Sequence, residues 1–183
     1  AGYGAASRFE QILFLPVLGI NTAIISIIAQ NYGAMNFDRI RETFFTAIKY
    51  ALTIMFFAAI LVFLLADIVT SLFSSNPEVI DYGKRYLRIS AIVLPAYPLF
   101  FISNGFFMSL KKSENAMISN VFRNLLIPIS VFYLAKSYNA DFNSFFWLWV
   151  IFNWTYSLIY LSFVLYYLKN QLDKSRSVIK PRP

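Results

Sequence analysis

Apolar residues in this chain fall in long unbroken runs separated by short charged islands. Gln11 to Phe37 carries no charge, and neither do Tyr50 to Ala66, Ile89 to Leu110 or Phe142 to Leu168; Asn115 to Ala135 carries one, Arg123. Each run is near or above the roughly 17–25 residues a helix needs to cross a bilayer. Backbone groups in lipid must be satisfied within a helix or a closed barrel. Barrel strands would alternate over about ten residues, whereas these runs are continuously apolar. The pattern predicts an all-α integral membrane protein of about five transmembrane helices, with spans near 11–34, 43–66, 89–110, 117–135 and 145–168. A basic, polar tail over 171–183 follows, expected to be cytoplasmic and disordered.

Composition sharpens this picture. Of 183 residues, 58% are hydrophobic and 14% charged, against roughly a quarter charged in soluble domains. Cysteine and histidine are both missing. That excludes disulfides, thiolate or imidazole metal sites, and catalysis that needs either residue. No catalytic residue, metal or cofactor is expected. The formal charge of +7 reads as a topological signal of basic loops, not as nucleic-acid binding. Grouping the 38–49 loop, the 111–123 loop and the tail on one side gives eleven Lys and Arg there, against five opposite (Arg8, Lys84, Arg85, Arg88, Lys136). The richer side is expected to be cytoplasmic, leaving the N-terminus outside and the C-terminus inside. Trp147 and Trp149, then Tyr166, Tyr167 and Lys169, suit the two interfaces of the fifth span. The first run lacks the basic lead of a signal peptide, with Glu10 in its place. With no Met at position 1, a piece of a longer or processed protein is expected.

Between the second and third runs, Ser74-Ser75-Asn76-Pro77-Glu78 reads as a helix start. Val79, Ile80, Tyr82, Gly83 and Tyr86 are expected to lie on the membrane surface as a short amphipathic helix, and Asp67 to act as an interfacial cap. Polar residues recur at helical spacing within the spans. Gly19, Thr22, Ser26, Gln30 and Gly33 share a face of the first, and Ser90, Tyr97 and Asn104 of the third. Asn120, Asn124 and Pro128 stripe the fourth; Asn153, Ser157 and Tyr160 the fifth. Helix packing through small and amide residues explains any one stripe. Four together also suit a shared polar cavity. Pro16, Pro95, Pro98 and Pro128 fall inside apolar spans and are candidate helix bends. Carboxylates avoid the span centres. Glu10 is the weak candidate for ion coupling, although a solvated pair with Arg8 explains it as well.

These residues carry a resemblance. Tyr3-Gly4-Ala5-Ala6-Ser7-Arg8-Phe9-Glu10, then Pro16, Gly19 and Gln30-Asn31-Tyr32-Gly33-Ala34 with Asn36, Asp38 and Arg39, resemble the eighth helix of the multidrug and toxic compound extrusion (MATE) transporters and its exit. Leu72 to Val79 and Tyr86-Leu87-Arg88 resemble the loop into the tenth helix; Pro95, Asn104, Gly105 and Lys111-Lys112-Ser113 resemble that helix and its exit. The likeness runs from about Gly2 to Leu168. It implies twelve helices in two six-helix lobes, with this chain supplying helices eight to twelve of the C-terminal lobe. Two features depart from the pattern. Met108-Ser109-Leu110 replaces a glycine-rich turn, and Tyr97 stands about where some members carry an acid.

The resemblance implies an antiporter exporting organic, expectedly cationic, compounds in exchange for H+ or Na+ by alternating access. Its partners would be the bilayer of a bacterial inner membrane, a small organic substrate, the coupling ion, and the N-terminal lobe and seventh helix of the same protein. Asn21, Gln30, Tyr97, Phe101, Asn104, Asn120, Asn124, Asn153 and Tyr156 are the expected cavity residues. A flippase for lipid-linked oligosaccharides and a non-transporting assembly subunit are the alternatives. The flippase would want several cations in its cavity, and only Arg123 lies near membrane depth.

Overall fold

A computed structural model describes residues 11–73 and 75–172. Among them the chain is helical, with no strand. Helix α1 spans Leu15–Gly33, α2 Phe37–Phe73, α3 Pro77–Val93 and α4 Ala96–Ser109. Helix α5 (Ser113–Val121) runs through a π-helical turn, Phe122–Leu126, into α6 (Ile127–Ser137). Helix α7 (Phe142–Tyr167) continues into a second π turn, Leu168–Leu172. Four segments are long and apolar enough to cross a membrane: Gln11–Gly33, Phe37–Leu72, Ser113–Ser137 and Asn143–Asn170. The pair α3 and α4, bent by 49°, passes the same test only when the two are taken together, which gives five spans if they count as one.

Three of the connecting turns share one geometry. Met35, Lys111 and Asn139 hold positive φ (56°, 59° and 46°) just past a helix end. In each turn the following amide reaches back five residues, as in Asn36 N to Asn31 O (2.8 Å) and Ala140 N to Ala135 O (2.8 Å). This is the Schellman arrangement, which satisfies carbonyls that a helix end leaves open. It lets consecutive spans reverse within three or four residues, as close antiparallel packing requires.

The third span owes its bend to proline. Pro95 cannot donate to Ala91, and Pro98 cannot donate to Leu94. The Leu94 carbonyl instead takes the Tyr97 amide at 3.3 Å. The Ile92 carbonyl accepts Trp154 Nε1 of α7 at 2.9 Å. The break is thus tied to a neighbouring helix, which is how such interruptions are tolerated in lipid. Pro16 follows a one-residue break after the helical turn 11–13, and Pro128 directly follows the π turn within the continuous fourth span, so both mark local irregularities inside apolar helices.

Four expectations change. Val79, Ile80, Tyr82, Gly83 and Tyr86 do not form a separate surface helix. Helix α3 runs unbroken past Arg88 and buries Gly83, Tyr86 and Leu87, because it packs against α2 and α7 as the other half of the bent span. The residues read as a 38–49 loop are helical, since α2 has 37 residues, about 55 Å at 1.5 Å per residue. Asp67 is no cap. It lies within α2 and faces Lys84 and Arg88 of α3. Arg123 leaves the loop group, for it sits mid-helix in the fourth span; ten basic residues still face five.

Helix α4 is the hub. Twelve of its residues, including Tyr97, Phe100, Asn104, Phe106 and Phe107, are buried. A helix apolar all round must be enclosed, and α1, α2, α5 and α7 enclose this one. Aromatic contacts set much of the packing: Phe44 meets Phe106 edge-on at 5.2 Å, and Phe107 tilts against Tyr160 at 5.8 Å. Gly105 lets α1 come close. A Cβ there would collide with Asn21 Oδ1.

Candidate functional site

Polar groups of three helices converge on α4. From α1, Asn21 lies against Gly105, its buried Oδ1 without a hydrogen-bond partner among the described residues. From α5, the Ala116 carbonyl accepts both Asn104 Nδ2 (3.0 Å) and Asn120 Nδ2 (2.9 Å), so one acceptor joins two amides across the helix pair. From α7, Tyr156 hydroxyl lies 2.7 Å from Ser119 Oγ and donates to the Ser119 carbonyl at 2.9 Å. Tyr156 stacks on Tyr160, with ring centroids 6.2 Å apart, and tilts against Phe100 at 6.0 Å. Side-chain hydroxyls and amides at such depth find partners on neighbouring helices or on the backbone, since lipid offers none.

The expected residues divide into two groups. Asn21, Tyr97, Phe101, Asn104, Asn120 and Tyr156 gather around α4. Gln30 does not; it is exposed and reaches Ser26 Oγ on its own helix at 3.4 Å. Asn153 is buried but donates to Trp149 of its own helix. Asn124 is exposed and, with Asn120, Ala116 and Met108, lines an open groove of about 550 Å³. A smaller groove of about 390 Å³ runs along Ser119, Tyr156 and Tyr160. Glu10 lies outside the described residues.

Arg123, counted with the 111–123 basic group although it also falls within the expected 117–135 span, lies at depth. It belongs to the π turn of the fourth span. Such a turn widens the helix by one residue and re-aims a side chain. Its guanidinium carbon lies 4.5 Å from the centre of the Phe100 ring, 4.8 Å from Tyr97 and 5.2 Å from Phe101. Phe14 of the N-terminal span closes the cluster, with its ring 4.5 Å from Tyr97. Arg123 Nε is sealed without a hydrogen-bond partner, and no described acid pairs with the residue. A desolvated cation–π contact is worth about 2 kcal/mol, while burying an ion costs several. The rings offset part of that cost. The signal was visible as the one charge in an apolar run near membrane depth, but not which rings it would meet.

The sequence model of the MatE family matches residues 1–134. The probable multidrug resistance protein YpnP of Bacillus subtilis (strain 168) is 27% identical over 79% of this chain and 31% of its own length. The FAD transporter of Shewanella oneidensis is 30% identical over 49% of this chain and 20% of its own. A crystal structure of MATE in complex with MaL6 superposes with a TM-score of 0.88 at 21% identity, over 94% of this chain and 39% of that one. An inward-facing multidrug resistance MATE transporter of the MOP superfamily gives 0.85 at 22% identity over 94% and 40%. The chain spans less than a third of the length of these curated relatives. The family model matches most of the chain, and the solved structures share its helical fold: this chain belongs to the MatE family.

Proposed function

We propose that this chain forms most of the C-terminal lobe of a secondary active antiporter that exports small organic compounds in exchange for H+ or Na+. The observation that carries the reading is the broken third span at the centre of a MatE fold, with amides, hydroxyls and rings of α1, α5 and α7 gathered on it. Asn21, Tyr97, Phe101, Asn104, Asn120 and Tyr156 would line the lobe's side of the cavity, with Asn124 at its groove. An outward-facing family structure superposes about as well as the inward-facing one, with TM-scores of 0.87 and 0.85. That suits a lobe that moves as one body while access alternates. The remaining N-terminal lobe and the seventh helix would complete the pathway. Basic residues favour a C-terminus in the cytoplasm of a bacterial cell, with the protein in its inner membrane.

Among the described residues no carboxylate sits at mid-span, so the main coupling acid is assigned to the rest of the protein, with Glu10 secondary. The cationic cargo expected from the sequence fits poorly with Arg123 beside Tyr97. Among named relatives the cargo ranges from drugs to FAD, and cargo is taken here as a small organic compound. A flippase for lipid-linked oligosaccharides is not favoured, since Arg123 is the one mid-span cation among the described residues. Dye efflux from a drug-sensitive bacterial strain expressing the full-length protein tests the proposal. Loss of efflux on collapsing the proton or the sodium gradient would identify the coupling ion. An unchanged dye content across cationic and anionic dyes would defeat the reading.

A further inference from the structure

Arg123 is a cation at membrane depth with rings on its faces and, among the described residues, no acid to balance it. Every acid in the described ion pairs stands at a helix end or rim: Glu42 with Arg39, Asp81 with Arg85, and Asp67 with Lys84 and Arg88. Asp38, Glu78, Glu114 and Asp141 lie in the first turns of helices or at their caps. The interior of this lobe is therefore net positive among the described residues. A guanidinium presents five donors in a planar fork that matches a carboxylate or phosphate. Here the rings of Tyr97, Phe100 and Phe101 contact the guanidinium without accepting conventional hydrogen bonds from it, and Nε remains unsatisfied. Arg123 as a residue is only partly buried, so the site is not closed. One turn back along the same helix lie Asn120, on the open groove with Asn124, and the Ser119–Tyr156 hydroxyl pair.

We propose that Arg123 is the charge-recognising residue of the cavity and that the exported compound is a planar organic anion. Its carboxylate or phosphate would meet the Arg123 fork, while Tyr97, Phe101 and Tyr156 supply the apolar wall for its ring system. This deepens the transporter reading and rests on it. A cationic cargo at the same place would meet an unscreened like charge in a low-dielectric setting.

Two planar dyes of similar size and opposite charge, fluorescein and ethidium, test this in proteoliposomes holding the full-length protein. Wild type is expected to carry fluorescein in preference to ethidium, and Arg123→Gln to lower the fluorescein-to-ethidium rate ratio at least tenfold. Arg123→Lys should fall between, keeping the charge while losing the planar fork. If the Gln variant does not elute as a folded species, the Lys variant decides: a ratio equal to wild type overturns the assignment. Carriage of ethidium alone by wild type, or an unchanged ratio in Arg123→Gln, overturns the anion inference and leaves the transporter reading standing. Carriage of neither dye overturns both.

Discussion

Arg88 and Arg123 are both arginines on helices that pack into this bundle, and both have a sealed Nε without a partner. Their surroundings differ. Arg88 stands toward the rim with 41% of its side chain exposed, and its Nη2 meets Asp67 Oδ2 at 3.0 Å. Lys84 shares that carboxylate at 2.5 Å, and a single ring, Phe63, lies 5.7 Å away. Arg123 has three rings and, among the described residues, no acid. At the rim, water screens the charges, and a carboxylate is available at little cost or gain. At depth an acid would itself need burial, and aromatic faces stabilise the cation without adding a second ion. The comparison separates a charge that orients helices from a charge held ready for a ligand.

Substitutions at depth should have the larger effects. Phe100 is fully buried between Arg123 and the Tyr156–Tyr160 pair. Phe100→Ala should destabilise the full-length protein by roughly 2–4 kcal/mol, since bilayer helices are held by packing more than by hydrophobic transfer. A melting curve in detergent measures this, and a cost equal to that of Phe63→Ala would erase the distinction between the two arginines. Gly105→Leu comes next. Its side chain would drive Asn21 and α1 away from the hub, costing about 1–3 kcal/mol. Adding Asn21→Ala should recover part of that loss. A double-mutant cycle showing no coupling would break the close α1–α4 contact as described.

At the rim, Arg88→Gln should cost under about 1 kcal/mol. Its effect should shrink further as salt rises from 50 to 500 mM, an order-of-magnitude range around the screening regime. The smallest effect concerns Asp141, the exposed cap of α7. Hydrogen bonds from the Ser144 side chain and backbone hold its carboxyl below the usual range. A depressed folded pKa means that the cap's contribution is complete above the ordinary carboxylate pKa of about 3.9. It is lost as pH falls through the lower folded value. Hydrogen exchange in the first turn of α7 should therefore be unchanged at neutral pH and rise only in strong acid. In Asp141→Asn the acid-dependent rise should disappear.

Much of the membrane architecture was readable in the chain because lipid imposes a severe rule: backbone polarity must be hidden, and helices do so with long apolar runs. The helix start at Asn76 was readable too, since its side chain accepts from Glu78 N at 2.9 Å, a purely local event. So was the bend at Pro95, where a missing donor acts within one turn. Reading failed where neighbours decide. The α3 segment looks like a surface helix by its own charges, yet Asp67, two helix turns inside α2, draws Lys84 and Arg88 against it. Arg123 stood out as the one charge of the fourth run, but its ring partners on α4 could not be read from spacing. Of the amides, Asn104 reaches across to a carbonyl of α5 while Asn120, Gln30 and Asn153 bond within their own helices, and no spacing rule separates those outcomes.

The sequence by itself determined that this chain is a set of apolar helices, roughly where they begin, and which residue types they would bring to a common interior. Only the tertiary structure decided which of those residues face one another. Helix formation and lipid burial depend on residues within a few positions along the chain. The meeting of Arg123 with Tyr97, Phe100 and Phe101 depends on a π turn and on the rotation of one packed helix against another. That rotation is set by side-chain shape along the whole contact, and so it appears only once the bundle is assembled.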